Sequence, residues 1–337
     1  MINVAIIGMG DISAIHLHAI EEHQDANLVA LCDQDERLSN AYPRYSFYTN
    51  FTEMLDNEAI DVVHVCLPHH EHEPVTTACM ARGVHVLQEK PLARNHHEGH
   101  LLMAAADTYP DVKLAICFQN RFNRTFTRLQ ELLRNAQYGA LLGIKGIVAW
   151  HRPRSYYETK PWRSTLAQAG GGVMINQAIH TLDLMQLIGG PISSLTGTAN
   201  RLLGYGYDIE DTANAHIKFK NGATGLFFAT NANASNSSVE LEVNLERATF
   251  TIKDGTLSRV IEHGDREFLT KDELASGSKF YYGTGHRNLI HDFYACIVTN
   301  RSDYVHARDA QISLKMIDAI WRSSKEKKAI LWEELDR

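Results

Sequence analysis

The sequence predicts a two-domain α/β protein: an N-terminal doubly wound parallel sheet over residues 1–120, then an α+β domain over 121–337 with an open, mostly antiparallel sheet. Three observations carry this. The chain has 337 residues, the length of two ordinary domains. Its first third alternates short apolar runs with helical segments, the pattern of a parallel sheet covered on both faces. Beyond residue 120 the runs alternate apolar and polar residues, and Asn221-Gly222 and Asp254-Gly255 stand between runs as hairpin turns.

Composition narrows the function. Apolar residues make up 44 % and charged residues 22 %, ordinary for a globular enzyme. The net charge is −7 and Lys and Arg are dispersed, so there is no basic footprint for nucleic acid. No apolar run reaches the roughly 18–20 residues that span a bilayer. The N-terminal MINVAIIGMG reads as a buried strand rather than a secretory leader. Cys32, Cys66, Cys79, Cys117 and Cys296 are odd in number and form no Cys-x-x-Cys pair, which suits reduced core cysteines in a cytoplasmic protein.

Residues 2–7 (INVAII) are the first apolar run, Gly8-Met9-Gly10-Asp11-Ile12-Ser13 the turn after it, and SAIHLHAIEEH the first helix. Strand, glycine turn and helix in that order suit a pyrophosphate: glycine admits close backbone approach, and the helix N-terminus offers N–H groups. Ser13 stands where a third Gly or Ala is usual. The second run, 27–32, ends at Asp33, where an acidic side chain accepts from both hydroxyls of an adenosine ribose and repels a 2′-phosphate. NAD is therefore expected in preference to NADP, with Gly8, Gly10, Asp11, Ile12 and Asp33 at the cofactor. The other use for Asp33 is to cap a helix over DERLSNAY.

The alternation continues with a helix (FTEMLDNEA), a strand (60–68), a helix (EPVTTACMARG), a strand (84–91), a helix near 95–108 and a strand (112–118). Ligands of such sheets sit beyond the C-terminal strand ends. Those ends bring Leu67, Pro68 and His69, and then Glu89, Lys90 and Pro91, to the cofactor. Lys90 follows directly on a buried strand and Pro91 fixes the backbone after it, which holds the ammonium where the nicotinamide end belongs; proline also makes a cis bond accessible there. The alternative is a lysine reaching from a strand end to solvent. The stretches His69-His70-Glu71-His72 and His96-His97-Glu98-Gly99-His100 open predicted helices where polar residues face water, and their spacing supplies no fixed ligand set, so no metal is expected.

The second domain begins with a helix at 126–136, followed by runs at 143–151, 193–202, 212–232 and 239–264, and closes with helices near 285–299 and 308–325. The second face of its sheet needs cover from helices or another subunit, which predicts a homodimer or homotetramer. Gly170-Gly171-Gly172 lets the backbone pass close to a ligand, after which 173–189 is expected to run as one helix until Gly189-Gly190-Pro191 stops it. On that helix Asn176, His180 and Asp183 share a face at i, i+4 and i+7, with Gln177 beside them, while Ile, Leu and Met occupy the opposite positions. The polar stripe faces a pocket or a partner; a hydrogen-bonded core histidine is the alternative for His180.

With these residues in place, the sequence resembles the Gfo/Idh/MocA family, the glucose-fructose oxidoreductase and inositol dehydrogenase group. The resemblance extends over nearly the whole chain: the glycine turn with His16 downstream, Pro68 to His72, Glu89-Lys90-Pro91, Gly170 to Asp183, Glu210-Asp211 and the closing helix. It implies a Rossmann domain followed by an open-sheet domain, in an enzyme that oxidises or reduces a secondary alcohol of a sugar or cyclitol with NAD or NADP. It also implies that Lys90 and His180 are the catalytic pair, His180 as base and Lys90 polarising the reacting oxygen. Many members carry Asp where this chain has Asn176; an amide is no base, so Asn176 is expected to position a substrate hydroxyl. Gln177, Arg121, Arg152, Tyr156, Trp162 and Arg163 are further candidates for the substrate wall, Arg163 for a carboxylate or phosphate or else for a surface ion pair. Two other functions fit the resemblance: glycoside hydrolysis through a tightly held NAD, and NAD sensing without catalysis.

Overall fold

The computed structural model describes residues 1–262, 264–273 and 284–335, and the chain forms two compact units. In the first, β1 (Ile2–Ile7), β2 (Ala26–Cys32), β3 (Ser46–Tyr48), β4 (Val62–Val65), β5 (His85–Glu89) and β6 (Leu114–Cys117) form a parallel sheet in the order β3-β2-β1-β4-β5-β6. Helices α1 (Ser13–Glu21), α2 (Phe51–Asn57), α3 (His72–Met80) and α4 (His96–Thr108) connect the strands. Val4, Ile6, Val63, Val65, Leu87 and Ile116 are buried, as expected of strands covered on both faces. Asn50 and Asn95 cap α2 and α4 by accepting backbone N–H groups with their side-chain oxygens.

The strand order reverses between β1 and β4, and the C-terminal ends of these two strands flank the crevice in which such sheets bind ligands. Two local expectations change. DERLSNAY forms only a short 3₁₀ turn, Glu36–Ala41, capped by Asp35, and β3 adds a strand too brief to register as an apolar run.

The second unit begins with α5 (Arg124–Leu133) and β7 (Leu141–Ala149). Four short helical pieces follow: α6 (Arg154–Glu158), α7 (Leu166–Ala169), α8 (Val173–Asn176) and α9 (Ile179–Gly189). The rest is sheet: β8 (Ile192–Asn200), β9 (Thr212–Phe219), β10 (Thr224–Thr230), β11 (Glu240–Leu245), β12 (Ala248–Lys253), β13 (Thr256–Ile261) and β14 (Glu267–Lys271). After α10 (Gly285–Val298) and α11 (Ala307–Glu326), the two-residue strand β15 (Ile330–Leu331) completes a sheet ordered β14-β13-β12-β11-β7-β10-β9-β8-β15. β7 and β10 pair in parallel; the other pairings are antiparallel. Both expected hairpin turns form, with Gly222, Asp254 and Gly255 at positive φ.

The units divide the chain differently from a single cut at residue 120. α10 packs on α1 and buries Leu289, Ile290, Phe293 and Tyr294, so the described residues 284–311 belong with residues 1–119. In the second unit α9 lies against β7 and β10; a Cβ on Gly146 of β7 would sit 2.6 Å from Thr181 Cγ2, so glycine there sets how closely helix and sheet approach. β9 buries alternate residues and exposes Asn214, His216 and Lys218 on the other face. The five cysteines are buried and free. Among the described residues no helix is long and apolar enough to cross a membrane.

Candidate active site

The turn after β1 is shaped by Gly8, whose φ of +93° favours glycine and whose Cβ, if present, would lie 2.7 Å from the Cys66 carbonyl oxygen. Ser13 does not obstruct this turn: its buried hydroxyl donates to the Gly10 carbonyl at 2.7 Å. No side chain caps the N-terminus of α1 at Ile12, and the Ile15 N–H turns back to the Ile12 carbonyl at 3.0 Å, which leaves the very start of the helix suited to an anion. Asp33 is half-buried at the end of β2; Oδ2 accepts the Met9 N–H at 2.7 Å and Oδ1 the Asp35 N–H at 2.9 Å. It therefore braces the glycine turn, the 3₁₀ cap falls to Asp35, and each carboxylate oxygen keeps a lone pair. Gly10 and Asp11 are exposed and Ile12 half-buried at the same turn. Glycine turn, uncapped helix start and acidic strand end together fit a dinucleotide.

Leu67 and Pro68 end β4 half-exposed, while His69 is buried. His72 is also buried, so the first histidine-rich stretch does not face water as expected: the His72 ring bridges the Pro91 carbonyl at 2.8 Å and the Leu67 carbonyl at 2.9 Å. Gln88 Nε2 adds bonds to the carbonyls of Pro91 (3.0 Å) and Leu92 (2.8 Å). These bonds tie the end of β4 to the segment that carries Lys90, where the Lys90–Pro91 peptide is cis and Lys90 is half-buried. The second stretch behaves differently, its His96 and His100 rings pairing edge to face near the surface.

Glu89, expected at the cofactor from its position at the end of β5, is engaged in the core instead. Its Oε1 accepts from His16 Nε2 at 3.0 Å and lies 3.5 Å from His286 Nε2, while Oε2 accepts the Lys90 backbone N–H at 3.1 Å. His16 Nδ1 meets His64 Nδ1 at 2.8 Å, and His64 Nε2 meets the Tyr294 hydroxyl at 2.8 Å. Burial opposes ionisation throughout. Even so, Cys66, Cys117 and Glu89 around His16 hold its pKa well above the usual value, and hydrogen bonds from His16 and His286 hold Glu89 well below its own. The result is an imidazolium–carboxylate pair with His64 neutral, its pKa lowered by burial and by His16. Donor atoms of His16, Glu89, Cys117 and His286 all lie within 4.8 Å of one another. Sequence inspection names His16 and Glu89 but not their grouping with Cys117 and His286, because the members come from α1, β5, β6 and α10.

In the second unit the glycine run takes backbone conformations that favour glycine, and its close approach is to Glu210. Gly170 takes φ +77° and ends α7; Gly171 takes φ +157°. Gly172 presses on Glu210, whose backbone carbonyl occupies the place a Cβ would need. The buried Glu210 carboxylate accepts the Gly172 N–H at 2.8 Å and the Met174 N–H at 2.9 Å; burial pushes its pKa up to about 7 against those two donors. Gly172→Ala is therefore expected to cost about 1–3 kcal/mol through overpacking, read as a fall in the thermal unfolding midpoint; an unchanged midpoint would show that the segment has room to move.

Residues 173–189 do not form one helix. α8 ends at Asn176, the Ala178 N–H reaches back to the Val173 carbonyl, and α9 starts at Ile179. Long-range bonds hold the break: Gln177 Oε1 accepts from Asn231 Nδ2 at 3.1 Å and Gln177 Nε2 donates to the Tyr156 hydroxyl at 3.0 Å. Gln177 is accordingly buried and committed within the protein, whereas Asn176 and His180 are half-exposed. Asn176 Nδ2 also approaches the Tyr156 hydroxyl, at 3.4 Å. Asp183 leaves the expected polar stripe: it is buried and receives both arms of the Arg121 guanidinium, at 2.8 and 2.6 Å. Arg121, expected on the substrate wall, spends its fork on α9, one turn beyond His180. Arg152, Tyr156, Trp162 and Arg163 are half-exposed and adjoin one another, with Arg152 and Arg163 over the Tyr156 ring and Arg163 also over Trp162.

Comparison with known proteins agrees with this fold. Residues 2–115 match the Gfo/Idh/MocA model described as an oxidoreductase family with an NAD-binding Rossmann fold, and residues 126–251 match the Gfo/Idh/MocA C-terminal domain. Myo-inositol 2-dehydrogenase of Thermotoga maritima is 24 % identical over 98 % of this chain and 99 % of its own length. D-glucoside 3-dehydrogenase of Escherichia coli is 29 % identical over 66 % of this chain and 68 % of its own. Among solved structures, levoglucosan dehydrogenase with NADH and levoglucosan superposes with a TM-score of 0.87 at 20 % identity, covering 98 % of this chain and 99 % of that one. The WlbA dehydrogenase of Bordetella pertussis with NADH and UDP-GlcNAcA gives 0.84 at 24 % identity, covering 98 % of both chains.

Proposed function

The chain belongs to the Gfo/Idh/MocA family and is an NAD-binding oxidoreductase; from that premise we propose that it moves a hydride between nicotinamide and a secondary alcohol of a pyranose, a pyranose derivative or a cyclitol. The observation that carries the substrate class is the half-exposed Asn176 beside the Tyr156 hydroxyl, on the segment that continues to His180, with Arg163 over both the Tyr156 and Trp162 rings, so that hydrogen-bonding side chains accompany aromatic ones. That combination suits a polyol ring. The curated relatives named for inositol and glucosides, 24 % and 29 % identical, support the same class.

NAD, when bound, supplies the hydride acceptor or donor; the remaining tasks fall to side chains. Gly8, Gly10, Asp11 and Ile12 would hold the pyrophosphate at the start of α1, and the free lone pairs of Asp33 would accept from the ribose hydroxyls. Leu67, Pro68 and His69 would wall the nicotinamide side. His180 takes the proton of the reacting hydroxyl, the step without which a carbinol carbon cannot lose hydride. Lys90 donates to that oxygen and offsets the negative charge developing on it. Asn176 orients a neighbouring hydroxyl, donating and accepting at once. Assembly into a homodimer or homotetramer on the exposed face of the open sheet is part of the same reading.

The test is reduction of NAD, followed at 340 nm, against monosaccharides, uronic acids, inositols and nucleotide sugars. Turnover of one member supports the proposal and names the substrate. NAD binding with silence across the panel overturns it and turns attention to aryl glycosides, the substrates of an NAD-dependent hydrolase. Asp33→Ser is expected to weaken NAD binding and to narrow or reverse the preference over NADP; an unchanged NAD/NADP ratio of kcat/KM would refute the ribose contact.

A further inference from the structure

Resting on that reading of the second unit as the substrate domain, we propose that the substrate carries an anionic group, a carboxylate or a phosphate, bound by Arg152 and Arg163, which share the Tyr156 ring. The two guanidinium groups share one ring: Arg163 lies 4.5 Å and Arg152 5.1 Å from the Tyr156 centroid. Each is held by a second aromatic, Arg152 over Trp150 at 4.7 Å and Arg163 over Trp162 at 5.6 Å. Planar cations stacked this way lose little further freedom when they close on an oxyanion, and their forks match its geometry.

Charge bookkeeping at Arg152 points the same way. Its hydrogen bonds go to neutral oxygens, the His151 carbonyl at 2.8 Å and Asn236 Oδ1 at 3.1 Å, and its buried Nε makes no hydrogen bond. Among the described residues no carboxylate pairs with it, in a chain whose net charge is −7.

The location ties this pair to catalysis. The Tyr156 hydroxyl, on the same ring, is bonded by Gln177 at 3.0 Å and approached by Asn176 at 3.4 Å, residues three and four positions before His180. An anionic substituent on Arg152 and Arg163 therefore positions its own sugar ring along the segment that presents His180.

The experiment compares kcat/KM for NAD reduction on C1-blocked sugars: methyl β-D-glucoside as the neutral member, methyl β-D-glucuronide as the carboxylate arm, and glucose 1-phosphate with UDP-glucose as the phosphate arm. One anionic arm is expected to exceed the neutral sugar by about tenfold or more, and Arg152→Gln or Arg163→Gln to shrink that ratio by about tenfold, the worth of one charge-assisted hydrogen bond. Arg152→Lys should recover part of it, since charge returns without the fork. Equal use of neutral and anionic sugars, or equal loss on both in the variants, overturns the anion site and leaves the dehydrogenase intact. If no sugar is oxidised, calorimetry with the same probes and NAD decides. Anion binding abolished by Arg152→Gln upholds the site while the dehydrogenase reading fails, and absence of any anion binding overturns the site.

Discussion

Replacing His180 with alanine is expected to lower kcat by about 10²- to 10⁴-fold, the usual worth of a positioned general base, while NAD binding followed by fluorescence titration stays essentially unchanged. The expectation follows from where the residue stands. His180 lies in the first turn of a buried helix whose Asp183 is clamped by Arg121 and whose start is pinned by Gln177, so the backbone that carries its ring is fixed from within the second unit. Lys90→Ala is expected to lose about 10²- to 10³-fold in kcat, the scale for removing a donor to a developing oxyanion, again with NAD retained. Loss of base catalysis should also remove the acid limb of the pH–kcat/KM profile in the His180 variant, whereas a folding defect would leave the profile's shape and lower its height. A variant that binds no NAD, or one that turns over normally, would contradict the assigned roles.

Neutralising Glu89 is expected to be the most damaging single change to stability. Glu89→Gln leaves the His16 imidazolium buried with no opposing charge, and breaking a buried ion pair in this way costs about 3–5 kcal/mol. Thermal unfolding should show it as a fall of roughly 5–15 °C. The pH dependence of the parent fixes the sign. Glu89, held well below its ordinary 4.5, contributes stability that is complete above that value and is lost as pH falls through its folded pKa. His16, held well above its ordinary 6.5, contributes stability that is complete below 6.5 and is lost as pH rises through its own folded pKa. The pair therefore supports the fold most between those two values, and the variant should lose most there. A midpoint unmoved by the substitution would mean that the cluster is held as neutral hydrogen bonds. Because Glu89 also accepts the Lys90 N–H, catalysis should suffer beyond the loss of folded protein.

What the sequence discloses and what it hides divide along sequence distance. The β1–turn–α1 unit, the Asp33 position, the two hairpins and the glycine run are readable because each depends on a few adjacent residues: a positive φ, a strand end, an Asn-Gly pair. The break at Gln177 is not, since a helical pattern runs through 173–189 and the bonds that interrupt it come from Asn231 and Tyr156. Arg121 looks like a substrate residue until Asp183 meets it. His72 looks exposed at a helix start until the carbonyls of Leu67 and Pro91 appear on either side of its ring. β3 and β15 escape notice because three and two residues are too few to show a pattern, and β14 because none of its five residues is buried.

The parallel pairing of β7 with β10 has a consequence for how the second unit is made. β8, β9 and β10 form one meander and β11 to β14 another, each assembling from neighbours in sequence; β7 joins the two, lying opposite Thr224–Thr230 on one side and Glu240–Leu245 on the other. In order of synthesis β7 leaves the ribosome before either partner. Until both meanders follow, it presents two open edges, and closing them costs loop entropy that the hairpins do not incur. Unpaired strand edges of this kind are where incompletely folded chains associate, so residues 141–149 are the part of the second unit that depends most on the remainder of the sheet being in place.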